Sequence, residues 1–234
     1  MLWLARFCGV VAPSPLSLLD PDERYVEADV RLDDAVDDLL AGAVDRVSVQ
    51  PDGQLLLAAR PPVVLMPGSF NPMHAGHLHL AQIAEQIRQQ PLAFEISVTN
   101  VDKPPLAGRT IRERLTQFIW KAPVELTRAP TFLEKSRLFQ KVTFVIGADT
   151  AERLIAPKYY GGDEARMHAA LEEIGTAGNT FLVAVRVDSG GRLMTLGDVA
   201  VPKRFADLFE EVPEARFRLD TSSSDIRAKA DAAG

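Results

Sequence analysis

One short stretch of the chain, PGSFNPMHAGHLHLA at residues 67–81, holds three of its four histidines. His74 and His77 are three residues apart, so on one helical turn their side chains can face the same point. Gly68 and Gly76 carry no side chain and let the backbone approach a ligand closely. A helix that begins at Gly76 adds free N–H groups and the positive end of its dipole. Together these groups predict donors that converge on a phosphate.

The surroundings of the histidine pair favour binding over a purely structural role. Histidines in such a place can also cap the helix or fill space, and a lone histidine would be assigned that role. Here the pair follows an apolar run, VVLM at 63–66, and a Gly-Ser-Phe-Asn-Pro turn at 68–72. A strand, a glycine-containing turn and a helix start, in this order, are typical of a phosphate site. His79 falls on another side of the helix and is predicted to be structural.

Three further polar segments are candidate site residues. Asn100–Lys103 and Gly147–Asp149 each follow a predicted strand, and Ser222–Ser224 precede a predicted short helix that contains Arg227. The serines present hydroxyls and backbone N–H groups at a helix N-terminus, with the Arg227 guanidinium about one turn further on. Each segment also has a simpler interpretation. Serine and aspartate are common helix caps, and Lys103 could be an ordinary exposed lysine.

The apolar pattern predicts buried strands that alternate with helices. Five strands are predicted, at 63–66, 94–98, 124–127, 142–147 and 181–185. In such an arrangement the strands form a parallel sheet that is covered on both faces. We therefore predict an α/β fold, a Rossmann-like doubly wound parallel sheet. Ligands of these sheets bind at the carboxyl ends of strands, which is where the candidate segments lie.

Several sequence signals predict where the helices lie. After the histidine pair, Leu80, Ile83, Ala84 and Ile87 recur at the spacing of one helix face. Two segments, Thr110–Glu113 and Thr131–Glu134, have the spacing of capping boxes and predict two helix starts. The first of these helices is predicted to point Leu115, Phe118 and Ile119 inward.

Residues 1–60 do not join this alternation and are predicted to be a small N-terminal appendage of unknown role. A helix is predicted at 31–40 and a hairpin at 47–58, with its turn at Asp52-Gly53. The boundary of the main domain, 61–234, is placed near Arg60. The apolar start of the chain, residues 1–13, is shorter than the roughly 20 residues of a membrane span and is predicted to be a buried strand or helix, with a signal peptide as the lesser alternative.

The charge and cysteine content exclude several classes of protein. The net charge is -6, and nine acidic residues lie between Asp20 and Asp38, whereas the rest of the chain is close to neutral. No basic footprint of a nucleic-acid-binding protein is present, and no membrane partner is expected. Cys8 is the only cysteine, so no internal disulfide can form. We expect a reducing compartment, the cytoplasm, and leave the oligomeric state open, a homo-oligomer included.

Three segments of the chain resemble, in the same order, the signatures of the HxGH nucleotidyltransferase superfamily. The segment from Gly68 to His77 resembles its first signature, and Ile146–Asp149 resembles a mid-chain Gly-x-Asp element. Thr221–Arg227, TSSSDIR, is similar to a C-terminal Ile-Ser-Ser-Thr-x-Ile-Arg signature, with Thr and Ser in place of Ile and Thr. The resemblance covers about residues 63–231, and within the superfamily it is strongest to the nicotinamide/nicotinate mononucleotide adenylyltransferases. It implies a nucleotidyltransferase fold.

The resemblance also implies roles for individual residues. It assigns His74, His77, Lys103 and Arg227 to catalysis, with Lys103 close to the phosphates. It assigns eight residues to the ATP site, among them Asp149 at the adenosine ribose: Gly68, Ser69, Phe70, Gly147, Asp149, Ser222, Ser223 and Ser224. Asn100 and Arg186 match positions near the acceptor, although the resemblance gives Arg186 no defined role.

The chain departs from the family pattern where the acceptor ring binds. These enzymes usually stack the pyridine ring on a mid-chain tryptophan, but the tryptophans here are Trp3 and Trp120. Trp120 ends a predicted helix and is expected in the core. At the family's tryptophan position the chain has Lys158-Tyr159-Tyr160-Gly161-Gly162, so we expect Tyr159 or Tyr160 to stack on the ring. The same tyrosines could equally form a packed loop.

The reaction implied by the resemblance is transfer of AMP from ATP to nicotinate or nicotinamide mononucleotide, with release of pyrophosphate. Mg²⁺ is expected to accompany ATP, held mainly by phosphate oxygens and water and not by a dedicated protein site. Two alternatives stay open. One is another reaction of the superfamily, with pantetheine phosphate as acceptor or with CTP as nucleotide. The other is a catalytically silent nucleotide-sensing module.

Overall fold

The computed structural model describes residues 32–57, 59–100, 104–187 and 192–213. The helices in these ranges are α1 Leu32–Ala41, α2 Ala75–Arg88, α3 Gly108–Leu115, α4 Phe132–Leu138, α5 Ala148–Leu154 and α6 Glu164–Thr176. The strands are β1 Arg46–Val49, β2 Leu55–Leu56, β3 Val64–Pro67, β4 Leu92–Ser97, β5 Val124–Thr127, β6 Thr143–Gly147, β7 Thr180–Ala184, β8 Arg186–Val187, β9 Leu193–Met194 and β10 Phe209–Glu211. Short 3₁₀ turns lie at Thr116–Phe118, Pro157–Tyr160, Leu196–Asp198 and Lys203–Leu208.

Eight strands form one mixed sheet in the order β10-β7-β6-β3-β4-β5-β1-β2. The six strands from β10 to β5 run parallel, and β1 and β2 are antiparallel additions at one edge. Along the chain, β3, β4 and β5 extend the sheet in one direction, and β6 and β7 then extend it from the other side of β3. The topological switch point of the sheet therefore lies between β3 and β6. The predicted α/β, Rossmann-like parallel sheet is confirmed.

Alternate residues of the central strands face the two sides of the sheet, and both sides are buried. Leu65, opposite Ala93 in the β3–β4 register, belongs to a core cluster that also contains Phe144 and Phe181. Side chains of α4, α5 and α6 complete this cluster. Met66 and its partner Phe94 point to the opposite side and are equally buried. This two-sided burial explains why the parallel strands are apolar without alternation.

The helix predictions are correct in part. On α2, Leu80, Ile83 and Ala84 are buried, and at α4 the Thr131 hydroxyl accepts from Glu134 N–H, as its capping box predicts. The box predicted at Thr110 is wrong, because α3 begins at Gly108 with Ala107 as its N-cap.

The inward orientation predicted for the end of this helix is also partly wrong. Leu115 and Phe118 are buried, but Ile119 is 49% exposed. Trp120, expected in the core, is 78% exposed. Its φ of 58° turns the chain out of the helical path, and its N–H donates to the Pro51 carbonyl. The helical periodicity does not continue past this turn.

A buried ionic cluster lies within the sheet, where the sequence predicts plain strands. Lys135 Nζ of α4 lies 2.8 Å from Glu95 Oε1 of β4, and both side chains are at most 5% exposed. The Thr127 hydroxyl donates to the same carboxylate, and Lys135 also donates to the Ala129 carbonyl. These bonds compensate the cost of burying two charges and join β4, β5 and α4.

The hairpin of the predicted appendage adds β1 to the edge of the sheet, next to β5. The Ser48 hydroxyl of β1 donates to the Glu125 carboxylate of β5, and burial raises the pKa of that carboxyl. The helix predicted at 31–40 is present as α1. Residues 1–31, which include the apolar start and most of the acidic block, lie outside the described residues, and the domain boundary near Arg60 stays a prediction. Among the described helices, none has the length and apolar character needed to cross a membrane.

Candidate functional site

The loop between β3 and α2 is held by a buried aromatic side chain. Phe70 is 2% exposed, and its ring packs edge-on against Phe94 and Phe118 at centroid distances of 5.2 and 5.5 Å. Its ring also contacts His77 edge-on at 5.0 Å. A Cβ atom on Gly68 would lie 2.6 Å from Phe70 Cζ, closer than two carbon atoms can approach. Glycine at position 68 is therefore what allows this packing.

The two histidines of the loop meet at the start of α2. His74 is the N-cap residue, and His77 lies one turn into the helix. Their rings stack at a centroid distance of 3.7 Å, and His74 N–H donates to His77 Nδ1 over 3.2 Å. Because Nδ1 accepts this bond, the proton of a neutral His77 is on Nε2. The structure thus brings the pair together as the spacing predicts.

Both imidazoles are held in the neutral form. Burial, then His74 and then Arg186 lower the pKa of His77 to about 3. Burial and then Arg186 also lower the pKa of His74. The two ring nitrogens of His74 are inaccessible to solvent and have no hydrogen-bond partner among the described residues. His77 is therefore a neutral N–H donor near pH 7, and the lowered pKa of His74 favours its neutral form as well.

The β6–α5 turn forms the wall opposite the histidines. Asp149, in the first turn of α5, lies 3.6 Å from Arg186 Nε and 3.8 Å from an Arg153 guanidinium nitrogen. A Cβ on Gly147 would lie 2.6 Å from Asp149 Oδ1 and 3.3 Å from Arg186 Cδ, so a side chain there would separate this pair. Arg186 lies just beyond the carboxyl end of β7.

These segments surround a cavity of about 340 Å³ at the switch point between β3 and β6. A volume of this size is within the usual range of about 300–1,000 Å³ for a small-molecule site. Its lining residues are Met66, Pro67, Gly68, Ser69, Phe70, Gly76, His77, Leu80, Phe132, Val145, Ile146, Gly147, Asp149, Thr150, Arg153, Ala184, Val185 and Arg186. The charged members are Asp149, Arg153 and Arg186, which leaves one excess positive charge. The cavity is therefore suited to an anionic ligand.

Not every predicted site residue lines this cavity. Gly68, Ser69, Phe70, Gly147, Asp149, Arg186 and His77 do, and His74 stacks directly on His77. Asn100 is exposed beyond the end of β4 and is not part of the lining. Lys103, Ser222–Ser224 and Arg227 lie outside the described residues, so their roles stay predictions.

The tyrosine pair also lies away from the cavity lining and is divided between two environments. The Tyr160 hydroxyl donates to the Leu154 carbonyl over 2.9 Å, and the ring packs against the core. Tyr159 is 54% exposed, with Lys158 Nζ 5.1 Å from its ring centroid. Of the two, Tyr159 has the ring with more surface accessible to a ligand.

Several residues of the site are absent from the sequence prediction. Phe132, the first residue of α4, lines the cavity, and so does Thr150. Arg153 lies four residues after Asp149, and this ion-pair spacing on a helix is a signal that the sequence did contain. Phe132 carries no such signal, because only the packing of α4 against β6 and β7 brings it to the cavity.

The described residues contain no group of three or more His, Cys, Asp or Glu side chains that could hold a metal ion. Asp149 is the acidic residue of the cavity lining, and it faces two arginines. The expectation of Mg²⁺ stays a prediction.

Two features at the switch point of the parallel sheet define the class of protein. The His-x-Gly-His helix start follows β3, and the turn that carries Asp149 follows β6. This arrangement is that of a nucleotidyltransferase. A family model described as cytidylyltransferase-like matches residues 65–229, more than half of the chain. The chain therefore belongs to the cytidylyltransferase-like family, a part of the HxGH nucleotidyltransferase superfamily. A search of curated proteins gave no match.

Proposed function

We propose that this nucleotidyltransferase transfers AMP from ATP to a pyridine mononucleotide, nicotinate or nicotinamide mononucleotide, and releases pyrophosphate. The observation that carries the proposal is the stacked His74/His77 pair at the N-terminus of α2, on the rim of a cavity with excess positive charge. The first N–H groups of any helix have no intrahelical acceptor and attract phosphate. Polar donors and a helix end thus converge where a triphosphate would lie.

The proposed step needs no nucleophile from the protein. A phosphate oxygen of the acceptor attacks the α-phosphorus of ATP in line, a new P–O bond forms, and the bond from the α-phosphorus to the bridging oxygen breaks. Pyrophosphate leaves with the electron pair of that bond. The protein contributes positioning and donors for the negative charge that develops on the phosphate oxygens.

The histidine pair is the proposed source of these donors. His77 Nε2–H would donate to an α-phosphate oxygen, since Nδ1 already accepts from His74 N–H. His74 would make a second contact, to the α- or β-phosphate, after its ring turns, because both ring nitrogens are unpartnered but shielded from solvent in the free protein. Neutral imidazoles suit this role, because a donor with a pKa of about 3 stays in one protonation state over the working pH range.

The opposite wall supports the proposed position of the nucleoside. Asp149 would accept from the ribose hydroxyls, in exchange for part of its contact with Arg186 and Arg153. Once released, these guanidinium groups, which line the cavity, would bind phosphate oxygens, with which arginine forms strong charge-assisted bonds. This exchange gives Arg186 a role that the sequence left undefined.

The β- and γ-phosphates are assigned to Ser222–Ser224 and Arg227, and Lys103 to a position that bridges both substrates. These assignments rest on the resemblance, and the family match extends to residue 229, which includes the serine segment. Mg²⁺ would neutralise part of the triphosphate charge, held mainly by phosphate oxygens and water.

The acceptor is proposed from the resemblance, with Tyr159 as the residue that stacks on its pyridine ring. Offset stacking on tyrosine contributes about 1 kcal/mol beyond burial. The Tyr159→Ala variant should raise the KM for the mononucleotide at saturating ATP, whereas Tyr160→Ala should mainly lower the unfolding temperature. An unchanged KM for the acceptor in the folded Tyr159→Ala protein would move ring recognition to another residue.

The experiment that tests the proposal follows pyrophosphate release from ATP or CTP with Mg²⁺ and a panel of acceptors. We expect dinucleotide formation with ATP and a pyridine mononucleotide, and a 10²–10³-fold lower turnover for His77→Ala, roughly the cost of one lost transition-state donor. His79→Ala is the matched control, because His79 is an exposed residue of the same helix. Turnover only with pantetheine phosphate as acceptor would reject the pyridine mononucleotide. Turnover only with CTP would reject ATP as the nucleotide. ATP binding without turnover of any acceptor would favour a sensing module.

A further inference from the structure

The loop between β3 and α2 is bridged by one side chain that belongs to none of the sequence motifs. Gln117 lies in the 3₁₀ turn after α3, more than 40 residues from the loop along the chain. Its Oε1 accepts from Met73 N–H over 2.7 Å, and its Nε2 donates to the Phe70 carbonyl over 3.0 Å. A single amide group therefore connects the two ends of the Phe70–Met73 segment.

Gln117 is itself held in place by its neighbours. Its Nε2 also donates to the Arg114 carbonyl of α3 over 3.2 Å. The adjacent Phe118 packs against the ring of Phe70, and Arg114 donates to the Ser69 carbonyl over 3.1 Å. The end of α3 thus contacts the backbone and the main apolar side chain of the loop. Because Gln117 is anchored to the end of α3, its amide constrains the position of the loop backbone.

The imposed position reaches the histidines through consecutive backbone amides. Gln117 Oε1 accepts a hydrogen bond from Met73 N–H, and the next backbone amide, His74 N–H, donates to His77 Nδ1. This second bond determines which nitrogen of His77 carries the proton. A shift of the Met73–His74 backbone would lengthen the 3.2 Å bond and release the His77 ring from this tautomer.

We propose that Gln117 is a positioning residue for the His74/His77 pair, a role that rests on the proposed transfer at this pair. It contacts neither substrate and acts through the loop backbone. Only an amide supplies a donor and an acceptor at the end of a side chain of this length. Gln117→Met keeps the length and loses all three hydrogen bonds, and Gln117→Glu keeps the acceptor for Met73 N–H but loses the donor.

The first test compares kinetics in the parent protein, Gln117→Met, Gln117→Glu and Thr116→Val. Thr116 is the matched control, because it is an exposed neighbour whose hydroxyl donates to the Glu113 backbone carbonyl at the end of α3 and not to the loop. We expect kcat to fall about 10–100-fold in Gln117→Met, since a displacement of about 1 Å can cost 10²-fold, with the KM for ATP changed less than about threefold. Gln117→Glu should lie between Gln117→Met and the parent, and Thr116→Val should match the parent.

The second test does not depend on turnover. Long-range ¹H–¹⁵N NMR spectra of the histidine side chains report the tautomer of each ring in the free protein. We expect His77 protonated on Nε2 in the parent and in Thr116→Val, and a mixture of tautomers in both Gln117 variants. Far-UV circular dichroism and thermal unfolding identify a variant that has lost the fold, in which case Gln117→Glu replaces Gln117→Met.

The outcomes separate this proposal from the proposed function. An unchanged His77 tautomer and an unchanged kcat in a folded Gln117→Met protein would overturn the positioning role. A changed His77 tautomer in the Gln117 variants, together with a parent protein that transfers no nucleotide, would support the positioning role and reject the transfer. Equal losses of kcat and of ATP affinity, with the tautomer intact, would make Gln117 a general structural residue and also overturn the proposal.

Discussion

The low pKa of His77 predicts a pH-dependent stability that one substitution should remove. The imidazole is buried against Phe70 and stacked on His74, and its pKa falls from 6.5 to about 3. In the unfolded chain the same group keeps a pKa near 6.5. Protonation therefore favours the unfolded state. The stability that His77 contributes is fully present above about pH 6.5 and is lost progressively as the pH falls towards 3.

The size of this effect follows from the two pKa values. Each pH unit between them is worth about 1.4 kcal/mol, and about 1.5 units lie between pH 6.5 and pH 5.0. The free energy of unfolding should thus fall by about 2 kcal/mol more in the parent than in His77→Phe when the pH is lowered from 7.5 to 5.0. Phenylalanine keeps an aromatic ring beside Phe70 and has no proton to bind.

The assay is urea unfolding, followed by circular dichroism, of both proteins at pH 7.5, 6.0 and 5.0. Other titrating groups, His74 included, act in both proteins and largely cancel in the difference. His79→Phe is the control, because it makes the same substitution at an exposed position of the same helix. Parallel pH dependences for the parent and His77→Phe would refute the burial argument, and with it the assignment of His77 as a neutral donor.

Three further predictions concern other parts of the molecule. Gly68→Ala places a methyl group 2.6 Å from the buried Phe70 ring, so it should destabilise the protein by about 1–3 kcal/mol in urea unfolding and lower turnover; a fully stable, fully active variant would contradict this packing. Lys135→Met leaves the buried Glu95 carboxylate without its cation and should cost about 3–5 kcal/mol of unfolding free energy, whereas the exposed Lys121→Met should cost almost nothing. Arg227→Ala should weaken ATP binding in calorimetry more than acceptor binding, and equal losses for both ligands would make its helix an ordinary capped segment.

The sequence predicted the central sheet well because its signals there are local. A buried parallel strand needs a continuous apolar run, and VELT at 124–127 is a strand with the predicted bounds. The capping box at Thr131 also depends only on neighbouring residues. The same signal failed at Thr110, because the N-cap of α3 is Ala107, three residues earlier, and it makes no side-chain cap. A spacing permits a cap, but the path of the preceding loop decides whether it forms.

The candidate site was predicted in part for the same reason. Gly68, His74 and His77 lie within one turn and helix start, so their proximity follows from the chain itself. Asp149 could be placed at the same edge, because parallel strands end on one side of the sheet. Arg153 and Phe132 were missed although they line the same cavity. Arg153 could have been predicted from its four-residue spacing to Asp149. Phe132 could not, because it reaches the cavity only through the packing of α4.

The sequence by itself determined the alternation of strands and helices, the pairing of His74 with His77 in one loop and the class of reaction, since each rests on residues that are close along the chain. Only the tertiary structure decided the protonation state of His77, which depends on burial and on Arg186, more than 100 residues away. It also decided that Gln117 holds the loop between β3 and α2 and that Trp120 faces solvent. Local spacing specifies which groups can meet, whereas desolvation and long-range contacts specify which of them do and in which chemical form.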